Sequence, residues 1–164
     1  MDIEIRRAEP NDHVAITRIF SAPEVIRATL QVPFPSAEYW RRRLADPADG
    51  EYRLVASVRG EVVGVLGLHM SPNVPRRAHA ASIGMAVRDD WQGKGVGNAL
   101  MQAAVDLADN WLNLIRLELT VFVDNDAAIQ LYQKHGFITE GTLAGFVFRE
   151  GEYVDVYVMA RIRP

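Results

Sequence analysis

Apolar and polar positions along this chain alternate with two different periods, and the changes of period mark out its elements. Ile3 to Ala8 (IEIRRA) alternates as a strand does. The stretch EPNDHVAITRIFSAP then takes up helical spacing, with Val14, Ile16, Ile19 and Phe20 as its apolar stripe and Asp12 where an N-cap belongs. Pro33 and Pro35 predict an extended loop, because proline fixes its own φ and keeps the residue before it out of the helical region. Ser36 is placed to cap a second helix, with Tyr39, Trp40 and Leu44 on its inner side.

Period two returns in YRLVASVRGEVVGVLGLHM, a hairpin whose two β-rich runs flank a tight turn at Arg59-Gly60. After a proline-marked loop, Ala81 to Val87 (ASIGMAV) reads as the next strand, with Gly84 marking a bulge or a close backbone approach. Val96, Leu100, Ala103, Leu107 and Trp111 repeat at spacings of three and four, so a helix runs to about Trp111. IRLELTVFV is a strand, DNDAAIQLYQKHG a helix that Gly136 ends, and the remainder two strands joined at Glu150-Gly151. The order gives about seven strands and about four helices in a mixed α/β or α+β arrangement. No regular βαβ repeat occurs, which disfavours a doubly wound nucleotide fold.

A length of 164 residues suits a single domain, here 1–164, with one core. The net charge of −3 leaves no electrostatic footprint for nucleic acid or an anionic membrane. Cysteine is absent, which removes disulfides, thiolate metal sites and any cysteine nucleophile. The four histidines are scattered without metal-ligand spacing, and no G-x-S-x-G elbow is present, so neither a metal site nor a serine hydrolase is expected. The charged, alternating N-terminus does not read as a signal peptide, and no apolar run is long enough to span a bilayer. A cytoplasmic location is the resulting expectation.

The chemistry-bearing segment is DDWQGKGVGNAL, Asp89 to Leu100, with three glycines at the entrance of a helix. A Walker A loop is excluded, because no Ser or Thr follows Lys94. Gly93, Gly95 and Gly97 miss the Rossmann spacing by one. What remains is Q-x-x-G-x-G from Gln92 to Gly97, placed between a strand and a helix. Glycines there let a diphosphate approach the main chain, and the helix N-terminus offers unpaired N–H groups and the positive end of its dipole. Three glycines cost the helix entrance roughly 1 kcal/mol each, which argues for a use. A second motif, NDAAIQLYQKHGF, sets Asn125, Ala128 and Tyr132 on one helical face, where Asn125 is also a natural N-cap and Tyr132 a natural core residue.

Together, Q-x-x-G-x-G and the later N-x-x-A-x-x-L-Y-x-x-x-G-F resemble the GNAT superfamily of N-acetyltransferases, and the element order fits over the whole chain. TLQVPFPS, DNWLNLIRLELTVFVDN and GEYVDVYVMAR look most like bacterial members that acetylate free L-amino acids. The resemblance implies a mostly antiparallel sheet with splayed central strands, acetyl-CoA as co-substrate, no metal, and a homodimer. It implies that backbone groups of Met85 and Val87 hold the pantetheine arm. The main chain from Gln92 through Gly93, Lys94, Gly95, Val96 and Gly97 to Asn98 would hold the diphosphate, with Lys94 near its charge. Asn125 would bond near the thioester end, and Ala128 would let the arm pass.

With no cysteine to carry an acyl group, a neutral amine would attack the thioester directly. A backbone N–H near Val87 would stabilise the oxyanion, and Tyr132 would protonate the leaving thiolate. His79 and Glu118 are the candidate bases, and a water chain could replace either. Gln31, Phe34, Tyr39, Tyr153 and Asp155 are acceptor-site candidates by position. Arg41-Arg42-Arg43 reads as a solvated helix face from which one arginine could meet a carboxylate. The expected acceptor is the amine of a small molecule, favoured as an L-amino acid. Alternatives are a protein N-terminus, a polyamine or an amine antibiotic, and, in another class, a non-catalytic acyl-CoA sensor.

Overall fold

The computed structural model describes residues 1–164. Seven strands form one sheet in the order β1-β2-β3-β4-β5-β7-β6, with β1 Glu4–Arg7, β2 Glu51–Val58, β3 Glu61–Met70, β4 Ala80–Val87, β5 Arg116–Phe122, β6 Ile138–Arg149 and β7 Glu152–Ile162. Every pairing is antiparallel except β4 with β5. The helices are α1 His13–Phe20, α2 Pro23–Ala28, α3 Ala37–Ala45, α4 Val96–Asn110 and α5 Asp126–Lys134. That is one more than the periodicity predicts. α2 is too short to show a repeat and begins on Pro23 at its first position, where the missing N–H costs nothing.

Local signals behave as their chemistry requires. Arg59-Gly60 and Glu150-Gly151 both carry positive φ at the two central residues, the twist that suits tight hairpins. Ser36 Oγ accepts from Tyr39 N–H at 3.2 Å and caps α3. Gly136, with φ of 90°, ends α5. Asp12 does not cap α1. It accepts from Glu9 N–H at 2.7 Å and pairs with Arg6 at 2.8 Å, tying β1 to the turn before the helix.

Two apolar layers sandwich β2 to β4. α4 covers one face through Val96, Leu100, Met101, Ala104 and Ala108 against Leu54, Leu66, Leu68 and Ile83. Gly64 permits the approach, since a Cβ there would lie 2.8 Å from the Val96 side chain. The predicted α4 stripe is therefore rotated: Ala103 and Leu107 are only partly buried and Trp111 lies in solvent past the helix end. On the other face, α1 and α3 bring Ile16, Ile19, Phe20 and Trp40 onto Val55, Val65 and Ala86. Val14 points outward, and so does Tyr39.

Candidate active site

The sheet opens at its centre. β4 and β5 pair only from Ala80–Ser82 to Arg116–Glu118. Beyond that point each strand stays with its other neighbour, β4 with β3 through Val87 and β5 with β7 through Phe122. The divergence leaves a cleft of about 870 Å³ that passes from one face of the sheet to the other. Arg27 of α2 reaches across one end of it to Glu150 at 2.6 Å and Asp124 at 3.6 Å.

The free edge of β4 looks into this cleft. Arg88 N–H donates back to Val63 at 2.9 Å, so alternation turns the peptide groups of Val87 and Met85 the other way. Gln92 Nε2 already donates to the Val87 carbonyl at 3.0 Å, which leaves the Val87 N–H on the cleft side. Gly84 makes no bulge, since β3 and β4 stay in register, and a Cβ on it would meet nothing within 4 Å. Its bare backbone forms part of the cleft wall.

At one mouth stands the glycine loop. Gly93 and Gly95 have φ of 72° and 87°, in the left-handed region, and a Cβ on either would face open space. Gly97 serves packing instead, 3.2 Å in Cβ terms from Leu131 Cδ2 on α5. Gly95 is the N-cap of α4 and no side chain caps that end. The first intrahelical donor is Ala99, to Gly95 at 3.0 Å, so the N–H groups of Val96, Gly97 and Asn98 have no helical acceptor. Those orphan donors and the helix dipole match a diphosphate, which makes coenzyme A a fitting occupant. Val96 contributes only its backbone, its side chain being core. Lys94 lies 4.8 Å from the Trp91 ring, off the cleft lining.

α5 supplies the opposite wall. Asn125, Ala128 and Tyr132 line the cleft along one face, as their spacing predicts. Asn125 Oδ1 caps the helix by accepting from Ala128 N–H at 3.3 Å, so the same residue is a cap and, through its amide nitrogen, a donor toward the cleft. Tyr132 is 8% exposed and packs on Phe137 with ring centres 5.9 Å apart. Burial pushes its phenol up to about 12, so it is protonated at every physiological pH. Its hydroxyl has no partner in the protein.

Neither candidate base reaches this cleft. His79 precedes the end of β4 where the strands are still paired, and it is exposed. Glu118 sits on the last shared rung. Burial raises its carboxyl, but hydrogen bonds from Arg116 and Arg77 outweigh that and hold it below its usual range. His69 of β3 is there instead, on the far side of the opening. Burial, then the Arg53 charge, lowers it, which keeps the ring neutral near pH 7.

The acceptor candidates fare similarly. Gln31 lines the cleft. Phe34 is 98% exposed, Tyr39 accepts from Arg43 at 2.9 Å on the surface, Tyr153 stacks on Phe148 in solvent, and Asp155 accepts from Gly145 N–H at 2.8 Å within its own hairpin. Phe20, Trp40, Arg43, Arg53 and His69 form that end of the cleft. Arg41 and Arg42 pair with Glu38 on the surface as expected, whereas Arg43 turns inward to Glu51. The signal for this group is a polar residue, Arg53 or His69, at an inward strand position beside a glycine, and it becomes legible only with the strand register.

Residues 12–137 match the model of the acetyltransferase (GNAT) family. The chain is 48% identical over 162 residues to the L-amino acid N-acetyltransferase AaaT of Escherichia coli K12, covering 99% of each. It superposes on a GNAT-family acetyltransferase from Streptococcus pneumoniae with a TM-score of 0.86 at 26% identity, over 99% of this chain and 100% of that one. It also superposes on the Vibrio cholerae spermidine N-acetyltransferase in complex with CoA and spermine, with a TM-score of 0.84 at 25% identity over 98% and 95%. No helix is long and apolar enough to cross a membrane. The open rung between β4 and β5, the uncapped glycine entrance to α4 and this similarity over the full length together make the chain an acetyltransferase of the GNAT family, using acetyl-CoA.

Proposed function

We propose that this enzyme acetylates the α-amine of a free L-amino acid by direct transfer. The observation that carries the reading is the continuity of the cleft: glycine loop at one mouth, a polar pocket at the other, and Tyr132 between them. The 48% identity to an L-amino acid N-acetyltransferase supports the acceptor class. In this reading the N–H groups from Gly93 to Asn98 hold the diphosphate, the Gln92 N–H being spent on the Asp89 carbonyl at 3.3 Å, and the peptide groups of Met85 and Val87 with the Asn125 amide align the pantetheine. Ala128 leaves room for it. Bound acetyl-CoA supplies the activated acetyl group.

The remaining work belongs to the chain's own residues. An amino acid arrives as an ammonium, which has no lone pair, so a proton must leave first. His69, neutral and half-buried, is the group on the acceptor side able to take it. The Val87 N–H is aimed to stabilise negative charge on the carbonyl oxygen, and the Tyr132 hydroxyl donates toward the departing sulfur. Burial weakens Tyr132 as an acid, and the same dry surroundings raise the basicity of a thiolate beside it, which offsets part of that loss.

The reading carries a cytoplasmic location, where donor and free amino acids are both available. It also carries a homodimer, supported by the exposed Phe146, Phe148 and Tyr153 on the β6–β7 hairpin and checked by light scattering. The test of activity is thiol release from acetyl-CoA with a panel of L-amino acids, polyamines and N-terminal peptides. Turnover with amino acids is expected. Calorimetric binding of coenzyme A without turnover on any amine would establish a sensor instead.

A further inference from the structure

We infer that Arg53 is the carboxylate anchor of the acceptor pocket, and that it makes the enzyme select amines bearing a free α-carboxylate. The inference rests on the amino-acid reading above and names the group that enforces it.

Arg53 of β2 pairs with Gly67 of β3, and Gly67 pairs with Gly84 of β4. Directly paired residues share a face, so these three form one row across the sheet. Two glycines in that row clear a path from the Arg53 side chain to the opening between β4 and β5. A Cβ on Gly67 would lie 3.5 Å from Arg53 Nη2 and 2.9 Å from His69 Nε2, so both groups lie over the bare backbone. A Cβ on Gly84 would meet nothing, which leaves space for a ligand where the row reaches the cleft.

The charges leave one cation in excess. Glu51, with its side chain 4% exposed, accepts from Arg53 at 2.5 Å and from Arg43 at 3.0 Å. Two guanidinium groups thus share one carboxylate. Arg43 spends its donors on Glu51 and Tyr39. Arg53 gives only Nη2 to Glu51, and its Nε and Nη1 have no protein partner although the residue is 8% exposed. A buried guanidinium with idle donors on a cleft favours an anion, and the Trp40 ring 5.3 Å away stiffens it. In an α-amino acid the amine and carboxylate are separated by one carbon. A carboxylate on Arg53 therefore sets the amine beside His69 Nε2, at the opening toward the thioester. The same excess charge opposes a polyamine.

The test compares an L-amino acid with its own carboxamide, and both with spermidine, in kcat/KM by thiol release. The wild type should prefer the acid by about 10–100-fold, the range of a charge-assisted hydrogen bond, although the amide carries more free amine at neutral pH. Spermidine should be the poorest of the three. In Arg53→Gln the acid-to-amide ratio should fall by about the same factor, a comparison in which amine basicity cancels. Calorimetry with coenzyme A reports whether the variant folds. If it does not, Arg53→Lys replaces it, keeping the charge while losing the planar fork, and should recover only part of the preference. A wild type that accepts the amide or spermidine as readily as the acid would overturn the anchor and leave direct N-acetylation standing. An enzyme that binds coenzyme A and acetylates none of them would overturn the functional reading itself.

Discussion

Replacing Tyr132 by phenylalanine isolates one hydroxyl. The ring stays, with its 5.9 Å packing on Phe137, and no hydrogen bond within the protein is broken. Stability should change by no more than about 0.5 kcal/mol, as for a substitution that makes neither a cavity nor an orphan. Coenzyme A affinity should stay within about threefold, because the glycine loop is untouched. Turnover should not. Positioned acids contribute about 10²–10⁴-fold. With its phenol at about 12 against an ordinary 10, Tyr132 is about a hundredfold weaker as an acid, and a half-transferred proton forfeits about tenfold of the advantage. The expected loss in kcat is therefore about 10–10³-fold, or about 1.4–4 kcal/mol of barrier. Steady-state thiol release at saturating acetyl-CoA measures it, with calorimetry as the binding control. The raised phenol also predicts no descending limb in kcat below about pH 11 from this group. A phenylalanine variant with full kcat refutes the acid role of Tyr132, whereas a wild-type limb near pH 10 that vanishes in the variant would keep the role and refute the raised phenol.

His69→Gln should lower kcat by about 10²-fold and remove a rising limb that lies below pH 6.5, the ordinary histidine value, because burial and Arg53 hold the wild-type ring beneath it. An unaltered pH–rate profile would assign proton removal to water. Glu51→Gln should destabilise the fold by about 3 kcal/mol, since it leaves two guanidinium groups facing each other without a carboxylate. The pH dependence has a definite sign. Burial raises the Glu51 carboxyl but Arg53 and Arg43 hold it lower still, so its contribution is present above the unfolded value of 4.5 and lost as pH falls through the folded one. Urea unfolding from pH 7 to 3 should show a shallower loss in the variant than in the wild type. Gly95→Ala places a Cβ at φ of 87°, costing about 1–2 kcal/mol whatever is bound, and should weaken coenzyme A by more than tenfold as the α4 entrance reshapes. Calorimetry giving wild-type affinity would move the diphosphate elsewhere.

How far the chain could be read depended on how far apart the interacting residues lie in sequence. The turns at Arg59-Gly60 and Glu150-Gly151, the Ser36 cap and the end of α5 at Gly136 were legible, because each is decided within about four residues by φ and by a neighbouring N–H. The local geometry of the proposed cofactor half was legible for the same reason. Gln92 to Asn98 is one loop and one helical turn, and Asn125, Ala128 and Tyr132 share a face by helical geometry alone. Faces with two apolar options were not: α4 has apolar residues on more than one side, and only contact with β2 and β3 chose Met101, Ala104 and Ala108 over Leu107 and Trp111.

Of the acceptor half, only Gln31 lay within such reading. His79 and Glu118 looked suitable because they flank the strands that splay. Which end of those strands opens depends on where β3 and β7 hold them, and it is the other end. Arg53 and His69 come from strands that sequence places well before the glycine loop. They meet the cleft because antiparallel register sets Arg53 opposite Gly67 and Gly67 opposite Gly84. Sequence by itself determined the reaction's donor side, since a diphosphate is held by consecutive backbone amides. Only the tertiary structure decided which side chains line the proposed acceptor side, since Arg53 and His69 become neighbours when hydrogen bonds align separate strands.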